Sequence, residues 1–189
     1  MATAAEALAR LCDPLAEVSA HYLIAESGEV FALVAEEMRA WHAGAGAWAG
    51  ITDVNSHSIG IELANPGDRP FVQRQMRALE HLLPAVMTLW SIPAHRVIGH
   101  SDMAPSRKGD PGRRFDWQRL AMQGLSVWPV PRPALPGGFT ADLAAFGYPA
   151  APPDDLLAAF RLRFRPGATG PLHPRDAGMA AGLAGLARP

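Results

Sequence analysis

Residues 99–112 read Gly-His-Ser-Asp-Met-Ala-Pro-Ser-Arg-Lys-Gly-Asp-Pro-Gly and place an imidazole, an ammonium and a carboxylate on one short segment. Imidazole nitrogen and carboxylate oxygen are both good zinc ligands. His100 and Asp110 meet only if the segment folds back on itself, and Pro105, Gly109, Pro111 and Gly112 favour that fold by keeping it from becoming a helix. Lys108 stands two residues before Asp110 and is the only lysine among 17 Lys and Arg residues. An ammonium is a point charge that suits a single oxyanion, whereas guanidinium is a planar fork suited to bidentate pairing. The expected chemistry is zinc-assisted hydrolysis, with His100 and Asp110 as ligands and Lys108 beside a developing oxyanion.

A second carboxylate, Glu62, interrupts the apolar alternation of Ser58–Ala64, facing away from Ile59, Ile61 and Leu63. A lone Glu on a strand is ordinarily a solvated residue. Beside a metal site the same residue reads as a general base, its pKa raised by partial burial. Zinc lowers the pKa of a bound water to roughly 7. Together these parts specify amide hydrolysis, with Glu62 carrying the proton to the leaving amine. Trp41 and His42, in Ala40-Trp41-His42-Ala43-Gly44, suit contact with a polar ligand, and Asn55 and His57, at the mouth of the Glu62 strand, are weaker candidates of the same kind. His21 reads as a hydrogen-bonded sheet histidine. His81, His95 and His173 carry no assignment.

The elements that must hold these groups form an α/β pattern. Thr3 and Glu6 have capping-box spacing at the start of a first helix that also holds Leu8, Leu11 and Cys12, the last expected as a small core hydrophobe. Val18–Ile24 and Val30–Val34 read as a hairpin around Glu26–Glu29. A long helix follows over residues 71–90, with Met76, Leu79, Leu83, Val86 and Trp90 as its buried stripe and Pro84 as a kink. Arg96–Gly99 is expected as a further strand, making a parallel crossover that delivers His100 at a strand's C-terminal end. Residues 115–123 read as a closing helix capped by Gly124.

After Trp128 the texture changes, with eleven of the 18 prolines in residues 129–189. The expected division is a catalytic domain over residues 1–128, a semi-rigid Pro-rich linker over 129–138 and a small helical domain over 139–189. Three helical patterns, Thr140–Phe146, Asp154–Phe164 and Ala177–Ala187, bring Leu143, Phe146, Leu156, Phe160, Phe164, Leu183 and Leu186 into a small core. Such a core is marginal by itself and suits a binding accessory. The net charge of -1 and 19% charged residues give neither a nucleic-acid footprint nor an acidic tail, and one cysteine excludes an internal disulfide. No apolar run is long enough to span a bilayer and no signal peptide is visible, so the sequence as written reads as cytoplasmic.

Val18-Ser19-Ala20-His21-Tyr22, Trp41-His42-Ala43-Gly44, Ser58-Ile59-Gly60-Ile61-Glu62-Leu63 and Gly99-His100 through Pro111-Gly112 resemble the zinc-dependent N-acetylmuramoyl-L-alanine amidases of type 2, the AmpD/AmiD-like family. The resemblance covers most of residues 1–128. It implies a mixed central sheet flanked by helices, zinc ligation by His100 and Asp110, catalysis by Glu62 and Lys108, and cleavage of the amide between N-acetylmuramic acid and L-alanine in peptidoglycan or muropeptides. Residues 158–166 resemble, more weakly, the small peptidoglycan-binding domain of some members. The family's first zinc ligand is a histidine on a strand before the first helix, and no histidine precedes His21. The expectation is therefore a start upstream of Met1 that would supply this strand, its ligand and any export signal to the periplasm or outer membrane. The alternative expectation is a non-catalytic peptidoglycan-recognition module that has lost its first ligand.

Overall fold

The computed structural model describes residues 1–186, beginning with helix α1 (Ala4–Leu11), which the Thr3/Glu6 capping box starts as its spacing implies. Cys12 caps this helix at its C-terminal end and is exposed, correcting its expected place in the core. Residues 22–24 and 30–32 then form the hairpin strands β1 (Tyr22–Ile24) and β2 (Val30–Ala32), paired antiparallel. Gly28 closes the turn with φ +89, and a Cβ there would lie 2.9 Å from the carbonyl oxygen of Arg74, so the turn needs glycine twice over.

Strand β3 (Ile61–Leu63) pairs parallel to β1, giving a mixed sheet of order β2-β1-β3 with Glu62 level with Leu23. Helix α2 (Gln73–Leu89) covers one face of it. Met76, Leu79 and Leu83 pack with Ile24, Phe115, Trp117 and Leu120 in one core cluster. Buried Gln75 donates to the carbonyls of Ile24 and Ala64, tying the ends of β1 and β3 to the helix. Trp90 departs from the expected stripe. It is 42% exposed, and its indole N–H donates to Glu36 across the surface. Pro84 sits on the exposed side of α2, within an unbroken helix.

The expected strand at 96–99 is absent among the described residues. Ala94–Arg96 is a single 3₁₀ turn whose Val97 N–H returns to the Ala94 carbonyl, and two of the backbone groups that follow bond side chains rather than a neighbouring strand. The Val97 carbonyl accepts from Arg163 and the Gly99 N–H donates to Asp102. The parallel partner of β3 is consequently β1, and His100 opens the short helix α3 (His100–Met103) instead of ending a strand. Helix α4 (Trp117–Met122) follows, two residues shorter at its start than the pattern suggests, with Phe115 set edge-on against Trp117.

Helices α5 (Phe139–Phe146), α6 (Pro153–Phe164) and α7 (Pro174–Ala184) match the three C-terminal patterns. The end of the third, at Ala187, lies outside the described residues. Six of the seven expected core residues are buried there, while Leu186 is half-exposed. The same cluster continues into Ala43, Trp48, Val54, Met103 and Ala104, so these helices share a core with the loops around the cleft. Trp48 meets Phe146 and Tyr148 edge-on at 5.6 and 5.3 Å. The Pro-rich segment lies along α7, where Arg132 donates to the Gly178 carbonyl. A Cβ at Gly182 would lie only 2.3 Å from the Val130 carbonyl oxygen, so glycine permits this close approach.

Candidate active site

The loop after α3 does fold back. The Ser101 N–H donates to the Asp110 carbonyl at 2.9 Å, and the Arg107 and Lys108 amides both bond the Ala104 carbonyl. This brings His100 Nδ1 to 3.0 Å from Asp110 Oδ2. The other ring nitrogen, Nε2, lies 2.8 Å from the carbonyl oxygen of Ala43. Carboxylate and carbonyl only accept, and a neutral imidazole has one proton to offer. Either a second proton or a cation between Nδ1 and Asp110 satisfies both contacts. A ring with one N–H held by a backbone carbonyl and its other nitrogen beside a carboxylate is how metal-ligating histidines are oriented.

An imidazole and a carboxylate facing one another are zinc donors, two of the three protein ligands that a catalytic zinc site uses. Among the described residues no group of three or more His, Cys, Asp or Glu side chains is placed to hold an ion. His100 and Asp110 are the two donors in hand. Asp110 is held below the ordinary carboxylate range because burial, which pushes it up, is outweighed by the His100 ring beside it.

Glu62 projects from the middle of β3, half-buried. Burial pushes its carboxyl above the ordinary value. Asp110, His100 and Lys108 are all near enough to act on its charge. A carboxyl with a raised pKa, beside an imidazole, a carboxylate and an ammonium, is the arrangement a general base requires. Lys108, half-buried, lines the same cavity of about 310 Å³ as His100.

Trp41, His42 and Asn55 form the facing wall of that cavity. Asn55 Oδ1 accepts from the amides of His42 and Ala43, which fixes the loop carrying them. The His42 ring crosses over Gly60, where a Cβ would lie 2.3 Å from its Cγ. Burial, then the neighbouring His21 and His100, lower the His42 pKa to about 4, so this ring stays neutral. His57 is not brought to the site: it is exposed and its Nδ1 bonds the Asp53 carbonyl in its own turn. His21 lies one residue before β1 rather than within the strand, and it is the buried, hydrogen-bonded histidine expected, accepting from the Gly60 N–H and bonding the Met38 carbonyl.

Sequence reasoning missed Arg107. Its guanidinium donates to the carbonyls of Ala43 and Ala45 and lies 3.4 Å from His100 Nε2, clamping the 43–45 loop onto the His100 loop. Its place next to the lone lysine was the available signal. It also missed Asp102, Tyr148 and Arg163, whose meeting joins positions up to 61 residues apart and leaves no local pattern.

Comparison with known proteins decides the family. The model of the N-acetylmuramoyl-L-alanine amidase family matches residues 1–113. The chain belongs to this amidase family. It is 35% identical over 194 residues to N-acetylmuramoyl-L-alanine amidase AmiD of Escherichia coli (strain K12), covering 84% of this chain and 70% of AmiD. The structure of E. coli AmiD in complex with anhydro-N-acetylmuramic acid-L-Ala-D-γ-Glu-L-Lys superposes with a TM-score of 0.80 at 32% identity, over 95% of this chain and 81% of that one. AmpDh3 of Pseudomonas aeruginosa in complex with anhydromuramic pentapeptide superposes with a TM-score of 0.85 at 28% identity, over 97% and 88%. Both structural matches extend through the C-terminal helices, beyond the segment the family model covers. The mixed sheet flanked by helices, and the helices after it, are thus the amidase fold.

Proposed function

We propose that this cleft hydrolyses the amide joining N-acetylmuramic acid to L-alanine in muropeptides, with Glu62 and Lys108 as catalytic residues and His100 and Asp110 as zinc ligands. The observation that carries the reading is the fold-back of the His100–Asp110 loop, which sets two metal donors and the lone lysine beside a half-buried glutamate in a chain of the amidase family. His100 and Asp110 would hold the zinc, which would supply Lewis acidity and a water activated near neutral pH. Glu62 takes the proton from the attacking water as the carbon–oxygen bond forms. It returns that proton to the nitrogen as the carbon–nitrogen bond breaks, so that L-alanine leaves as an amine. Lys108 places its ammonium against the oxygen of the scissile carbonyl, where negative charge develops. Arg107 and Asn55 hold the two loops at a fixed separation, and Trp41 and His42 offer an aromatic wall to the substrate.

Soluble anhydro-muropeptides are the favoured form of the substrate, because AmiD and AmpDh3 are each seen with such a molecule. Among the described residues no helix is long and apolar enough to cross a membrane. The test is release of an L-alanine-headed peptide from an anhydromuramoyl peptide. The reading expects release that a chelator abolishes and added zinc restores. Binding of the muropeptide with no release would make the chain a recognition module and overturn the reading.

A further inference from the structure

Helix α6 carries two buried arginines, and they serve different parts of the molecule. Arg161 bonds Asp176 and the carbonyls of Gly170 and Pro171, all within the C-terminal helices and their connection. Arg163, 2% exposed, points the other way. It donates to Asp102 at 2.6 Å, to the Val97 carbonyl at 2.9 Å and to Ser126 at 3.1 Å. Its guanidinium also lies 4.3 Å over the Trp117 ring. One side chain thus holds the backbone before His100 and, through Asp102, the helix that follows it.

Asp102 has no solvent exposure, and its two side-chain oxygens accept three hydrogen bonds. Oδ2 accepts from Arg163 and from the Gly99 N–H, and Oδ1 accepts from the Tyr148 hydroxyl. Burial raises the Tyr148 pKa well above its ordinary value, so the phenol remains a donor. A buried ion pair contributes little net stability when intact, removing one partner strands a charge, and in some proteins such a pair serves to select one arrangement. The arrangement selected here is the turn that aims the His100 ring at Asp110.

We propose that Arg163 and Tyr148 are positioning residues for His100, acting through Asp102, so that the helices after residue 128 are a working part of the catalytic site. This rests on the reading of His100 as a zinc ligand in that site. The test compares Arg163→Met and Tyr148→Phe with Arg161→Met in the full chain. Arg161→Met is the control, since it breaks a buried pair on the same helix without touching the loop, and Asp176 keeps its bond from Arg165.

Three quantities are read together with the melting temperature. They are exchange of the Gly99, Ser101 and Asp102 amides in metal-free protein, zinc affinity by chelator competition, and kcat against KM. Arg163→Met should lose about tenfold or more in protection of those amides and about 10- to 100-fold in zinc affinity, with kcat falling more than KM rises. Tyr148→Phe should do the same to a smaller extent, and it carries the test if Arg163→Met does not fold. Arg161→Met should lower the melting temperature alone. The proposal is overturned if the folded Arg163 or Tyr148 variants keep wild-type protection, zinc affinity and kcat, or if Arg161→Met shifts them equally. Failure of the amidase reading would show separately, as a wild-type chain that releases no peptide, while the amide exchange still reports on positioning.

Discussion

The half of the molecule that holds the cleft and the helices that follow it are built on different plans. The first sets three strands of three residues each against the 17-residue helix α2, joins them by short 3₁₀ turns and loops, and carries every side chain to which chemistry is assigned. The second contributes nothing to the wall of the cavity but buries Leu143, Phe160, Phe164, Ala180 and Leu183 almost completely. Loops tolerate the irregular backbone that converging polar groups need, and a packed scaffold keeps those loops in place. Here the scaffold lies late in the sequence, against the back of the loops, and Trp48, Met103 and Ala104 join the two. The comparison teaches that every reactive side chain precedes the chain's change of composition at Trp128, while the core that supports them crosses it.

Substitutions in the two halves should therefore separate activity from stability. The largest effect is expected for Glu62→Gln, a loss of about 10² to 10⁴ in kcat with zinc still bound. Burial raises the Glu62 pKa in the metal-free chain, and this shift has a consequence for stability. The folded protein holds this proton more tightly than the unfolded chain, so stability falls as pH rises from the ordinary carboxylate pKa through the folded one. Glu62→Gln removes that cost and should raise the melting temperature at neutral pH, a gain that vanishes in acid. A variant that is both inactive and less stable at pH 7 would count against this account of Glu62.

Lys108→Ala should lower kcat by about 10² to 10³ with little change in melting temperature, the range seen when an oxyanion donor is removed. Steady-state kinetics beside a thermal melt would check it. In the helical half, Phe160→Ala should cost about 3–5 kcal/mol in denaturant unfolding while the surviving folded fraction keeps its KM. The smallest effect belongs to His57→Ala. Its ring bonds its own turn away from the cavity, so kcat/KM should change less than about twofold. A large loss there would return His57 to the site.

The helices and the hairpin were legible because their signals are local. Periodicity marked α2 and α5–α7, the Thr3/Glu6 spacing marked α1, and Pro and Gly marked the turn that joins His100 to Asp110. What escaped was non-local. Arg96–Gly99 has strand-like composition, yet its backbone groups are taken by Arg163 and Asp102, a competition no local window contains. Trp90 fits the helical stripe but serves Glu36 at the surface instead. Among the candidate residues, the loop-fixing bonds that Asn55 makes were not foreseen, and Arg163 was invisible because its partner lies 61 residues earlier.

Zinc content of the 189-residue chain tests the reading of this site most directly, measured after purification without added metal and again after titration. About one zinc per wild-type chain is expected, lost in His100→Ala and retained in Glu62→Gln and His57→Ala. A wild-type chain that takes up no zinc, or a His100→Ala chain that keeps it, would contradict the assignment of this loop as the metal site.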